Sequence, residues 1–74
     1  MPNADRIRTK MDEVGVTQGQ LAAQLGIAQA SLSLKLSGKR PFYLREAEQV
    51  ARILHITEAD FGYYFLDSNL HSAN

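Results

Sequence analysis

Apolar side chains recur along this chain every three or four residues, which is the period of helices that bury one face. Ile7, Met11 and Val14 form the first such stripe. The longest stripe consists of Leu44, Ala47, Val50, Ala51 and Leu54. The pattern predicts an all-α chain of five helices: Ala4 to Val14, the residues from a Thr17 cap to Leu25, Ala28 to Leu36, Leu44 to Leu54, and Glu58 to Phe65.

Residues that start or stop helices lie at the ends of these segments. Asn3 and Thr57 are expected to cap the first and fifth helices through their side-chain oxygens. Thr17 followed by Gln20 indicates a capping box for the second helix. Gly26 follows Leu25, so a left-handed residue is predicted to separate the second and third helices.

The segment from Thr17 to Pro41 joins two short helices by a tight turn and ends in Gly-Lys-Arg-Pro. Ala22 is small where the two helices are expected to cross. Leu25, Ile27 and Leu32 are placed to fix the crossing angle from behind. This is the layout of a helix-turn-helix, whose first helix braces the second against the major groove of DNA. An ordinary helical bundle has similar apolar stripes, so no single position identifies a helix-turn-helix. The prediction of this motif rests on the spacing of all these residues together.

Charge is distributed unevenly, although the 74 residues have a net charge of zero. Residues 14–45 contain four basic residues and no acid, whereas residues 46–74 contain one basic residue and five acids. The basic part coincides with the helix-turn-helix segment, which favours contact with phosphates there.

Other features disfavour several functional classes. The chain has no Cys, and its two His residues are far apart, so no metal site or other cofactor is expected. There is neither an apolar run of the about 20 residues that span a membrane nor a signal-peptide pattern. We expect a cytoplasmic protein with no membrane or small-molecule partner. The absence of a nucleophile–base pair and the small size of the bundle argue against an enzyme.

A family resemblance rests on residues spread over positions 5 to about 65. They are Thr17-Gln18, Leu21-Ala22, Leu25-Gly26-Ile27, Ser31-Leu32, Gly38-Lys39-Arg40-Pro41 and Leu54-His55-Ile56-Thr57. The chain resembles the Cro and lambda-repressor type helix-turn-helix family, also called the xenobiotic-response-element family, and among its members the stand-alone phage switch proteins. The resemblance implies a compact five-helix bundle over residues 1–66, with residues 67–74 as a flexible tail. It also implies a double-stranded operator DNA partner, usually bound by a homodimer.

The resemblance assigns roles to individual side chains. Those expected to read bases from the third helix are Gln29, Ala30, Ser33 and Leu34. Those expected to contact phosphates are Gln18, Lys35, Lys39, Arg40 and Tyr43. Gln can bond the edge of adenine with two hydrogen bonds, whereas Ala and Leu can only contact a thymine methyl group. The alternative is that these residues form a solvated helix face and a charged loop.

The chain departs from the family pattern at four positions. Met11 and Leu36 stand where the family usually has a buried Arg–Glu pair, and we predict that they pack together, because apolar replacement of such a pair is often neutral or stabilising. Lys35 is expected to cover the core with its stem while its ammonium reaches solvent or phosphate. Ala28 cannot cap the third helix through its side chain, at a cost of about 1 kcal/mol.

Four of the six aromatic residues lie between Phe61 and Phe65. Phe61 and Phe65 are one helical turn apart and are predicted to enter the core. Tyr63, Tyr64 and Leu66 then remain partly outside, which indicates a dimer or partner interface. The alternative is that the tyrosines cover the end of the bundle with their hydroxyl groups in water.

Two functions remain open at this point. The first is a Cro-like transcriptional regulator that occupies operator DNA through the third helix. The second is a protein-interaction module on the same fold, either an antirepressor that binds a partner repressor protein or an antitoxin that binds a toxin. The basic charge of residues 14–45 favours the first function. The zero net charge and the shortage of hydrogen-bond donors on the third helix favour the second.

Overall fold

The computed structural model describes residues 2–66, which form five helices and no strand. The helices are α1 (Ala4–Val14), α2 (Gln18–Leu25), α3 (Gln29–Leu36), α4 (Leu44–Ile53) and α5 (Glu58–Phe65). The predicted all-α class is confirmed, and every predicted helix is present to within one residue at each end. The tail expected over residues 67–74 lies outside the described residues. None of the five helices is long and apolar enough to cross a membrane.

Three of the helices start with the predicted side-chain caps. Asn3 Oδ1 accepts a hydrogen bond from the backbone N–H of Arg6 at 3.0 Å. Thr17 and Gln20 form the full capping box of α2, with Thr17 Oγ1 accepting at 3.0 Å and Gln20 Oε1 accepting at 2.9 Å. Thr57 Oγ1 caps α5 by accepting a hydrogen bond from the N–H of Asp60 at 3.3 Å. These bonds satisfy backbone donors that the first turn of a helix leaves without partners.

Each of the first four helices is followed within two residues by a residue with a positive φ. These residues are Gly15, Gly26, Gly38 and His55. At the turn between α2 and α3, Gly26 has a φ of 76°, its N–H donates to Ala23, and the N–H of Ile27 donates to the carbonyl of Ala22 at 3.0 Å. This is a Schellman motif, and it directs the chain from α2 into α3.

The apolar core is built from all five helices. Its buried members are Ile7, Met11, Leu21, Ala22, Leu32, Leu36, Ala47, Val50, Ala51, Leu54, Ile56 and Phe65. Helix α2 packs against both α3 and α4, and α1 packs against α5. Met11 and Leu36, which stand where the family usually has a buried ion pair, are both buried in this one cluster. Direct packing of one on the other stays a prediction.

One residue of the apolar stripe predicted for α4 lies at the surface. Leu44 is 65% exposed, so the apolar face predicted for this helix is not buried at its first residue. It is the first residue of α4 and lies on an open groove between α4 and α5, with Phe61 among the other lining residues. The buried stripe of α4 therefore begins at Ala47.

Candidate nucleic-acid interface

The outward side of α3 carries the residues that were predicted to read bases. Gln29 and Ala30 are exposed, and Ser33 and Leu34 are half-buried. The other side of the helix is in the core, where Leu32 is fully buried. The predicted reading residues therefore lie on one accessible surface, and none of them is packed inward.

The start of α3 lies close to the start of α2. Ala28 is the N-cap residue of α3 and forms no side-chain cap, as its methyl group requires. The amide of Gln29 occupies the space beside Gly19, because a Cβ added to Gly19 would lie 3.3 Å from Gln29 Oε1. Gln18, which was assigned a phosphate contact, is the first residue of α2 and is half-buried.

The segment that follows α3, residues 37–43, is called the basic loop below. The backbone N–H groups of Lys39 and Arg40 both donate to the carbonyl of Leu34, at 3.0 and 3.3 Å. Nη1 of Arg40 also donates to Oγ of Ser31 in α3 at 3.3 Å. The two exposed cations of this loop are thus tied to the end of α3. A φ of 84° at Gly38 makes this return of the chain possible.

Lys35 does not extend outward as the sequence suggested. It is only 8% exposed, and its ammonium lies 2.9 Å from Oε1 of Glu46 and 3.2 Å from the carbonyl oxygen of Pro41. A carboxylate in the first turn of α4 gives the buried ammonium a partner, which it needs once it leaves water. We therefore correct the assignment of Lys35 to phosphate contact.

No role was predicted for Glu46 from the sequence, although one signal for it was present. It stands three residues after the N-cap position Tyr43, where a Glu side chain often accepts the N–H of the cap residue. That bond is present, with Oε1 of Glu46 accepting from Tyr43 at 3.1 Å. Tyr43 itself is 63% exposed, as its predicted phosphate contact requires.

The residues predicted to form an interface lie where the start of α1 meets the end of α5. The N–H of Asn3 donates to the carbonyl of Tyr64 at 2.8 Å. The guanidinium of Arg6 donates to the carbonyl of Tyr63 at 3.0 Å and lies 3.9 Å from the centre of its ring. Tyr63 and Leu66 are 55% and 52% exposed, and Tyr64 is half-buried.

The part of the chain that the structure describes contains no group of three His, Cys, Asp or Glu residues that could hold a metal ion. Comparisons with family models, with curated proteins and with solved structures found no match to this chain. The Cro-type resemblance thus remains a prediction from the residues that carry it.

Proposed function

We propose that this chain is a sequence-specific DNA-binding regulator that occupies operator DNA by placing α3 in the major groove. The observation that carries the proposal is the pairing of an accessible α3 surface with two cations tied to the same helix, through Ser31 and the carbonyl of Leu34. Side chains that reach base edges and cations that reach phosphates are the two components that such recognition requires.

The proposed roles follow from the chemistry of each side chain. Gln29 bonds the edge of adenine, and Ala30 and Leu34 contact thymine methyl groups. Ser33 supplies a hydroxyl group that can bond to a base edge. These residues define sequence preference, and they supply no charge.

Residues around α3 supply the affinity that does not depend on sequence. Lys39 and Arg40 contact phosphates as cations, while Gln18 and Tyr43 contribute neutral hydrogen bonds. The hydrogen bond of the Arg40 side chain is to the uncharged hydroxyl of Ser31, so this contact is not an ion pair that would compete with a phosphate. Such contacts set the register of the protein on the duplex.

We further propose that two copies pair through the exposed end of α5. Tyr63 and Leu66 are large and more than half exposed, and the contact of Arg6 with the Tyr63 ring holds that ring in place. A two-fold pair would present two copies of α3, which match successive major grooves when they are about 34 Å apart.

The test compares two alanine variants on duplexes obtained by selecting tight binders from random sequence. Gln29→Ala is expected to relax preference at one base pair by about 1–3 kcal/mol, because it removes a bidentate contact. Lys39→Ala is expected to weaken binding to all sequences alike and to flatten the salt dependence by about one phosphate contact. Equal losses for both variants on every sequence would contradict the assigned roles.

A protein-interaction module is the second candidate function. It is supported by the exposed apolar residues Leu44, Tyr63 and Leu66 and by the small number of hydrogen-bond donors on α3. A salt titration on random duplex distinguishes the two candidates, because phosphate contacts produce a steep fall of log affinity with log salt. No duplex binding at about 50 mM salt, together with tight capture of a repressor or toxin, would favour the second candidate.

A further inference from the structure

Lys35 is the only charged or polar side chain that is buried within residues 2–66. Its two hydrogen bonds lead away from α3, one to the carbonyl of Pro41 in the basic loop and one to Glu46 in α4. The ammonium therefore connects the end of α3 with the far end of the basic loop.

Glu46 completes this connection from the other side. Its Oε1 accepts from Nζ of Lys35 at 2.9 Å and from the N–H of Tyr43 at 3.1 Å. A single carboxylate oxygen thus joins α3, the last residue of the basic loop and the first turn of α4.

The basic loop is fixed at both of its ends. Near α3, the N–H groups of Lys39 and Arg40 bind the carbonyl of Leu34. Near α4, Lys35 and Glu46 hold Pro41 and Tyr43. The φ of Pro41 is restricted by its ring, so little freedom remains between the two attachments.

We propose that Lys35 and Glu46 are positioning residues that hold Lys39 and Arg40 against the DNA backbone, so that an acidic side chain supports DNA affinity. This inference rests on the proposed DNA-binding function. A buried ion pair is a weak source of stability, since apolar residues of similar volume often serve as well, but it can fix one arrangement of the groups it joins. Here those groups belong to the loop that carries the two cations.

The positioning role and a direct phosphate contact by Lys35 predict opposite changes in DNA affinity for the variant Glu46→Gln. If Lys35 contacted phosphate, Glu46→Gln would remove the carboxylate that competes for its ammonium and would strengthen DNA binding. If the pair positions the loop, Glu46→Gln weakens binding even though it removes a negative charge. Glu48→Gln is the matched control, because Glu48 is an exposed acid of the same helix and lines the groove between α4 and α5.

The experiment measures affinity for a random duplex over a salt series, with urea unfolding of each variant as a check on folding. We expect Glu48→Gln to bind at least as tightly as the parent chain. We expect Glu46→Gln to bind several-fold more weakly than Glu48→Gln, with a shallower dependence of log affinity on log salt. Equal or tighter binding by Glu46→Gln would overturn the proposal.

A second variant keeps the test decisive if Glu46→Gln folds poorly. The double change Lys35→Met and Glu46→Leu leaves the net charge unaltered and replaces the pair by apolar groups, which is often neutral for stability. It is expected to fold and to bind random duplex several-fold more weakly, because Pro41 and Tyr43 lose their partners. Parent-like binding by this variant would overturn the positioning role alone. Absence of duplex binding by the parent chain would overturn the proposed function as well.

Discussion

Replacing Gly19 by Ala should make the protein more stable and less selective. Gly19 lies in the first turn of α2, and it is not among the glycines with a positive φ, so Ala fits the backbone there. Glycine within a helix costs up to about 1 kcal/mol relative to Ala. We therefore expect Gly19→Ala to raise the free energy of unfolding by about 0.5–1 kcal/mol.

The loss of selectivity follows from where the new methyl group would lie. It would be 3.3 Å from Oε1 of Gln29 and 3.9 Å from its Cδ, closer to the oxygen than ordinary contact allows. Gln29 is exposed, so its amide can move by a few tenths of an ångström at little cost in stability. The proposed bidentate contact of Gln29 with adenine would depend on that position, and such a contact is worth about 1–3 kcal/mol of discrimination. Gly19→Ala should remove part of that amount.

Two measurements test this reasoning, urea unfolding and binding to a selected duplex with and without a change at the adenine pair. In the Gln29→Ala background, Gly19→Ala should still stabilise the fold and should no longer affect base preference, as a double-mutant cycle would reveal. An unchanged preference in the single variant, or an equal effect in both backgrounds, would refute the role of the Gly19 contact.

Two further predictions concern stability. His55 has a φ of 60° and ends α4 with the same backbone pattern that glycine forms elsewhere in the chain, so His55→Gly should raise the free energy of unfolding by up to about 1 kcal/mol in a urea titration. A decrease in stability would indicate that the imidazole makes a contact that outweighs the backbone strain. Ala22→Leu should lower stability by about 1–3 kcal/mol, because Ala22 is 2% exposed in the core, whereas the matched change Ala23→Leu on the exposed side of α2 should have little effect. Similar losses in the two Leu variants would contradict close packing at Ala22.

The helix ends were predictable because their causes are local. Asn3, Thr17 and Thr57 act on residues within three positions of themselves, and Gly26 acts on the turn it belongs to. His55 was not predictable in this way. The left-handed conformation of His55 lets the N–H of Ile56 donate to the last turn of α4 and lets the Ile56 side chain enter the core. This conformation therefore depends on the packing of the whole bundle and not on neighbouring residues alone.

The surroundings of Lys35 and Leu44 could not be predicted from the helical pattern of apolar residues. Helical periodicity indicates which residues share a face, but it does not give the position of the neighbouring helix. Lys35 and Glu46 are 11 positions apart and meet only because the basic loop brings α4 back to the end of α3. Leu44 continues the α4 stripe in sequence, yet it lies beside the groove to α5 and stays exposed. The side of α3 that faces solvent could be predicted better than the surroundings of Lys35 and Leu44, because the exposure of a helix face depends mainly on the helical period.

The small number of base-reading side chains on α3 also explains why the proposed function would depend on the pairing of two copies of the chain. Among its four candidate reading residues, only Gln29 can form a bidentate contact with a base, which is worth about 1–3 kcal/mol. Specific sites are usually bound about 4–10 kcal/mol more tightly than random duplex. The discrimination that one copy of Gln29 supplies is therefore smaller than this usual preference, whereas two copies on a symmetric site reach the lower part of the range. If two copies pair through the Tyr63 and Leu66 end of α5 as proposed, selectivity should rise with protein concentration as the pairs form. A selectivity that is already complete at concentrations where the chain is monomeric would contradict this argument.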